Sequence, residues 1–191
     1  TKQPPIRVVS YPTNEYAGLV FAYMGEGEAP EFSLPRKSVF ERPGALQFAR
    51  LETWPCNWLQ QVENSMDAVH VSFVHHWGEV GSFGKVVANT IPELSYEETD
   101  AGIRQTAVRS AGSKRVSDWT FPNNNHVSHP TLEPDDPWVD VGVWMTPVDD
   151  ENTMRFLIYS IPSTDPATDA RIRDYFETYS EYNPADHHDD L

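Results

Sequence analysis

The residues of this sequence best equipped for chemistry concentrate between Asn57 and His76, where carboxylate and imidazole side chains interleave with Val, Met and Phe. The stretch lacks Gly and Pro, and Trp58, Leu59, Val62, Met66, Val69, His70 and Phe73 recur at spacings of three and four. That period predicts a helix. Asp67 and His70, three apart, then share one face. His75 lies about 140° further round at 3.6 residues per turn, and joins them only where the helix ends or bulges. Such polar groups on an otherwise apolar helix are costly to bury unpaired, and a metal ion would account for them. Two imidazoles and one carboxylate with open coordination positions suit non-haem Fe(II), which can then take dioxygen beside a substrate. The bare D-x-x-H-x-x-x-x-H spacing is also that of satisfied polar residues at a helix end.

Other candidates are weaker. His126 and His129 are three apart, and on a strand they point to opposite faces, against a joint ligand role. His187 and His188 lie in an aspartate-rich tail that reads as solvated, and His76 as a helix-end histidine favoured by the dipole. The six tryptophans could stack an aromatic ligand or simply pack the core. No P-loop, G-x-G-x-x-G or G-x-S-x-G pattern occurs, so phosphoryl transfer, dinucleotide binding and serine hydrolysis have no support.

The elements that must position these residues are mostly strands. Ile6–Tyr11 and Tyr16–Met24 read as a hairpin about Pro12-Thr13-Asn14, and Gly25–Arg36 as a surface loop. Leu46–Glu52, Val86–Thr90, Glu93–Thr99, Ile103–Ser110, Val116–Phe121, Trp138–Met145 and Met154–Ile161 are strand-like. Short turns separate most of them, including Pro122-Asn123-Asn124-Asn125, which implies an antiparallel meander. A helix starts at Thr164-Asp165-Pro166, an N-cap residue before Pro at the first helical position, with Ile172, Tyr175, Phe176 and Tyr179 as its apolar stripe. The class is α+β, an antiparallel sheet wrapped on a long helix. At 191 residues the chain is expected to form one domain, 1–191. Its net charge of −15 disfavours nucleic acid and anionic membranes as partners. A single cysteine, Cys56, precludes an intrachain disulfide and fits a cytoplasmic location. No apolar run approaches the roughly 18 residues of a membrane span.

The motif N-W-L-Q…E-N-x-x-D-x-x-H-x-x-F-x-H, present as Asn57-Trp58-Leu59-Gln60, Glu63-Asn64, Asp67, His70, Phe73 and His75, resembles the iron-binding helix of the Rieske non-haem iron oxygenases. The similarity is to the branch containing phthalate dioxygenase and aromatic O-demethylases. Ser10-Tyr11-Pro12, Glu15–Gly25 and the hairpin Thr146–Thr153 resemble the same branch. The resemblance implies a helix-grip (START-like) fold and the catalytic domain of an α subunit. It implies His70 and His75 as iron ligands and Asp67 as the carboxylate that bridges to a Rieske-cluster histidine of a neighbouring subunit. Asn64 corresponds to an asparagine near the iron.

The resemblance further implies a [2Fe–2S] Rieske cluster, which takes two Cys and two His and so lies outside a chain with one Cys. The third iron ligand, an aspartate in a later helix, has no match at Asp169, Asp174, Asp186, Asp189 or Asp190 and is expected beyond Leu191. A start without methionine points the same way, to a fragment. The implied activity is hydroxylation or O-demethylation of an aromatic substrate with O2 and electrons from NAD(P)H. Those electrons would come through a reductase, directly or by way of a ferredoxin, to a homotrimer. Two rival readings are a helix-grip carrier of hydrophobic ligands without redox activity and a zinc hydrolase built on His70 and His75.

Overall fold

The computed structural model describes residues 8–34, 36–78, 90–110 and 112–179. The backbone divides into two compact units, Thr1–Leu34 and Pro35–Leu191. In the first unit β1 (Thr13–Tyr16) pairs antiparallel with β2 (Leu19–Ala22). The turn is Ala17-Gly18, with φ of 52° and 80°. Two successive positive φ values give the turn twist that suits a two-residue hairpin. The turn expected at Pro12-Thr13-Asn14 is therefore misplaced, since Thr13 and Asn14 are paired strand residues.

The second unit is a seven-stranded antiparallel sheet. Its strands are β3 (Leu46–Trp54), β4 (Glu93–Thr99), β5 (Gly102–Val108), β6 (Lys114–Thr120), β7 (Asn124–His129), β8 (Val139–Pro147) and β9 (Thr153–Ile161). They run in the order β3-β9-β8-β7-β6-β5-β4. Six expected strands coincide largely with β3, β4, β5, β6, β8 and β9. β7 was not foreseen, and Asn124-Asn125, read as turn, is its beginning. Of the expected strand Val86–Thr90, residues 86–89 lie outside the described residues.

Register fixes which residues share a face. One row across the sheet runs Gln105–Ser117–Val127–Val141–Tyr159–Phe48. Its β7-to-β3 portion belongs to the core with Leu46, Val139, Val143, Leu157 and Ile161. On the opposite face the 3-10 turn Ser38–Glu41 covers β8: Phe40 lies against Gly142, where an added Cβ would meet the ring at 2.9 Å.

Three α-helices complete the unit: α1 (Trp58–Met66), α2 (Val71–Gly78) and α3 (Pro166–Tyr179). α3 starts as expected: Asp165 Oδ1 accepts from the N–H groups of Ala167 and Thr168 at 3.0 and 3.1 Å. It docks through fully buried Ile172 and through Phe176, which stacks on Phe48 at 4.7 Å and meets Tyr159 at 5.0 Å. The curved sheet with helices laid against it is a helix-grip fold. No helix among the described residues is long and apolar enough to cross a membrane.

Candidate metal centre

The single helix expected over Asn57–His76 is two helices, and the interruption makes the site. α1 begins at Asn57, whose side chain accepts from Leu59 N–H at 3.0 Å and donates to the Asp150 carbonyl at 3.1 Å. This cap anchors the helix start to the β8–β9 turn. α1 ends at Asp67, whose φ and ψ of −90° and 87° leave the helical region. Asp67 Oδ1 then accepts from Val69 N–H at 2.9 Å and His70 N–H at 3.1 Å. An aspartate offers the backbone this local alternative to the helical ladder. The chain re-enters helix with Phe73 N–H and Val74 N–H donating to the His70 carbonyl at 2.9 and 2.8 Å.

The break overcomes the 140° separation of a regular helix. The rings of His70 and His75 lie with centroids 5.4 Å apart and planes tilted by 57°. His70 Nδ1 is 2.5 Å from the Asp67 carbonyl oxygen. A carbonyl only accepts, so Nδ1 carries the proton and Nε2 of the neutral ring keeps its lone pair for a ligand. A backbone carbonyl orienting the far nitrogen of an imidazole is the usual support of a metal-binding histidine. His70 is largely buried, whereas the Asp67 side chain is 54% exposed, with Oδ2 4.0 Å from His70 Nδ1.

The structure thus brings Asp67, His70 and His75 together, with Asn64 exposed on α1 and its carbonyl accepting from Asp67 N–H at 3.4 Å. The two imidazoles fit a divalent ion that prefers nitrogen donors. Among the described residues no group of three or more His, Cys, Asp or Glu is arranged to hold a metal. Asp169 is used otherwise, accepting from Ser163 Oγ and Thr164 N–H, and Asp174 is exposed on α3. The tail histidines His187 and His188 lie outside the described residues.

A cleft of about 500 Å³ adjoins the break, walled by Val62, Met66, Ile103 and Trp119 with the exposed carboxylates Glu63 and Asp67. Gln105 ties the sheet to this point, donating to the Met66 carbonyl and to Tyr96 Oη at 3.1 Å. Asn125 donates to Ser117 Oγ at 2.9 Å and approaches Met66 Sδ at 3.8 Å. Neither polar anchor was singled out from sequence; inward-facing Gln and Asn on strands facing a helix end were the available signal. His126 and His129 do occupy opposite faces of β7. His126 Nε2 is 3.1 Å from Asp140 Oδ1, which also accepts from Ser128 Oγ at 2.6 Å, while His129 Nδ1 donates to the Pro130 carbonyl at 2.7 Å. Trp58 and Trp119 pack on the core, and Trp54 lies under the Arg155 guanidinium.

No family model matches the chain. Over 122 residues it is 32% identical to the oxygenase subunit of 5,5'-dehydrodivanillate O-demethylase from Sphingobium sp., covering 61% of this chain and 27% of that protein. Over 178 residues it is 28% identical to the oxygenase subunit of phthalate 4,5-dioxygenase from Pseudomonas putida, covering 86% of this chain and 40% of that one. The chain therefore spans less than half the length of these relatives. Its fold matches that of dicamba monooxygenase bound to dicamba, with a TM-score of 0.62 at 16% identity over 90% of this chain and 55% of that one. The chain is thus similar to oxygenase subunits of Rieske oxygenases over the catalytic-domain-like portion of their length.

Proposed function

We propose that residues 1–191 form the catalytic portion of an oxygenase subunit that hydroxylates or O-demethylates an aromatic substrate with O2 and reductant-derived electrons. The observation that carries this reading is the helix break at Asp67, which brings the His70 and His75 rings to 5.4 Å apart. These two residues would hold a mononuclear Fe(II), with a third carboxylate from beyond Leu191. When bound, such an ion supplies open coordination positions for dioxygen. The Asp67 carbonyl accepts from His70 Nδ1–H, the tautomer that leaves Nε2 free to face a ligand. Asp67 presents a half-exposed carboxylate whose Oδ1 is occupied by backbone amides, leaving Oδ2 to accept a proton donor from another chain.

In this reading that donor is a histidine of a [2Fe–2S] Rieske cluster in a neighbouring subunit of a homotrimer. A reductase oxidising NAD(P)H, directly or through a ferredoxin, supplies the electrons. Asn64, one turn before Asp67, would stand near the metal. The apolar cleft walls beside Asp67 favour an aromatic over a polar substrate.

The test is anaerobic reconstitution of the full-length subunit with Fe(II). His70→Ala and His75→Ala should each lose stoichiometric iron and substrate-dependent oxygen consumption. Wild-type iron content in His75→Ala would remove it from the ligand set. Tightly held zinc with oxygen-insensitive turnover would replace the reading with a hydrolase.

A further inference from the structure

In a continuous helix each carbonyl accepts from the N–H four residues on, so the Met66 carbonyl would take the His70 N–H. Here the two halves of that bond have separate partners. α1 keeps its ladder as far as the Asp67 N–H, which donates to the Glu63 carbonyl at 3.0 Å. The His70 N–H then goes to Asp67 Oδ1 at 3.1 Å. The Met66 carbonyl accepts from Gln105 Nε2, on β5 of the facing sheet.

A carbonyl only accepts, so the amide nitrogen of Gln105 is the end that faces Met66. The other N–H of that nitrogen donates to Tyr96 Oη at 3.1 Å, on the residue directly opposite across the β4–β5 ladder. Both N–H groups are thus engaged, and Gln105 has only 2% of its surface exposed. Asn125 Nδ2, 3.8 Å from Met66 Sδ, meets the same residue from β7.

The broken and continuous helices therefore differ by an exchange of partners. Asp67 alone satisfies only the N–H half and leaves the Met66 carbonyl without its helical donor, a loss that costs as much as the break could gain. A continuous helix satisfies both halves at once, but turns His75 about 140° away from His70. In the broken form their rings are 5.4 Å apart. We propose that Gln105 is a positioning residue of the metal centre, holding the helix open by taking the carbonyl that a continuous helix would give to His70. Its consequence for metal binding rests on the reading of His70 and His75 as iron ligands; the exchange of partners does not.

The experiment compares the full-length subunit as wild type, Gln105→Met, Asp67→Ala and the double variant, by thermal unfolding and by anaerobic equilibrium dialysis against Fe(II). Gln105→Met keeps the volume and loses the donor, and should melt about 2–12 °C below wild type. In the double variant the His70 N–H and the Met66 carbonyl are both released and can bond to each other. Its loss in Tm should fall short of the two single losses added, by about 2 °C or more. Fe(II) affinity should drop about 10- to 100-fold in Gln105→Met and stay low in the double variant. Stability that returns without iron is an outcome that a purely structural contact does not produce. Additive losses in Tm, wild-type Fe(II) affinity in Gln105→Met, or iron binding that recovers with stability each overturn the proposal. If Gln105→Met does not fold alone, the double variant must fold, and its failure to do so also overturns it. A wild type that binds no Fe(II) refutes the iron reading instead, and the Tm comparison alone then decides whether Gln105 holds the break.

Discussion

Replacing Asp67 separates two tasks that one side chain performs. Its Oδ1 accepts from Val69 N–H at 2.9 Å and His70 N–H at 3.1 Å at the entrance to α2. Asp67→Ala removes both acceptors, and losing an aspartate in such a capping role costs about 0.5–2 kcal/mol. Losing a negative charge near the start of α2 adds about 0.3–1 kcal/mol. Asp67→Asn keeps an acceptor oxygen and loses only the charge component. For a protein of this size about 1 kcal/mol corresponds to roughly 2–4 °C in Tm. Thermal unfolding of the full-length subunit should therefore show Asp67→Ala melting about 2–12 °C below wild type and Asp67→Asn within about 4 °C of it. In the same preparations Asp67→Asn should retain iron yet lose turnover with its reductase. Wild-type turnover in Asp67→Asn refutes the electron-bridging role. An unchanged Tm in Asp67→Ala refutes the capping argument, and with it the explanation of the helix break.

Three further outcomes follow from the packing and charges. Ile172→Ala, at a fully buried position of α3, should destabilise by about 2–5 kcal/mol in denaturant titration, with α3 separating from the sheet first. His129, held at about 4 against 6.5 in the unfolded chain, makes the folded state lose stability as pH falls from about 6.5 towards 4. Its full contribution is about 3 kcal/mol, and His129→Gln should flatten that part of the pH–stability curve. Burial raises the Asp118 carboxyl, but hydrogen bonds from Arg104 and Lys37 outweigh this and hold it at about 2, against an ordinary 3.8. Its stabilisation is present above pH 3.8 and lost as pH falls towards 2, a loss that should disappear in Asp118→Asn.

Much of the sheet was legible because β3, β4, β5, β6, β8 and β9 are runs rich in β-branched and aromatic residues bounded by turn residues. The first hairpin was not. Pro12-Thr13-Asn14 has turn chemistry, but the chain turns at Ala17-Gly18, and alanine is a poor signal for a positive φ. β7 escaped notice because Asn124 and Asn125 resemble turn residues. Their amides are instead satisfied within the sheet, Asn124 by the Val143 carbonyl and Asn125 by Ser117. At the candidate metal centre, spacing and resemblance singled out Asp67, His70 and His75, which the fold brings near one another. The means of uniting them was not legible, because a 3.6-residue period continues on paper through Asp67 while the folded chain stops there.

The two-part helix also has a thermodynamic consequence. His70 belongs to the irregular connection and His75 to α2, so any ion held by both is a cross-link spanning the interruption. Binding energy would then appear as local order, because the ion favours only those conformations in which α2 is wound and docked. Amide hydrogens of Phe73 and Val74, bonded to the His70 carbonyl, should exchange more slowly as ion concentration rises, while those in β8 and β9 stay unchanged.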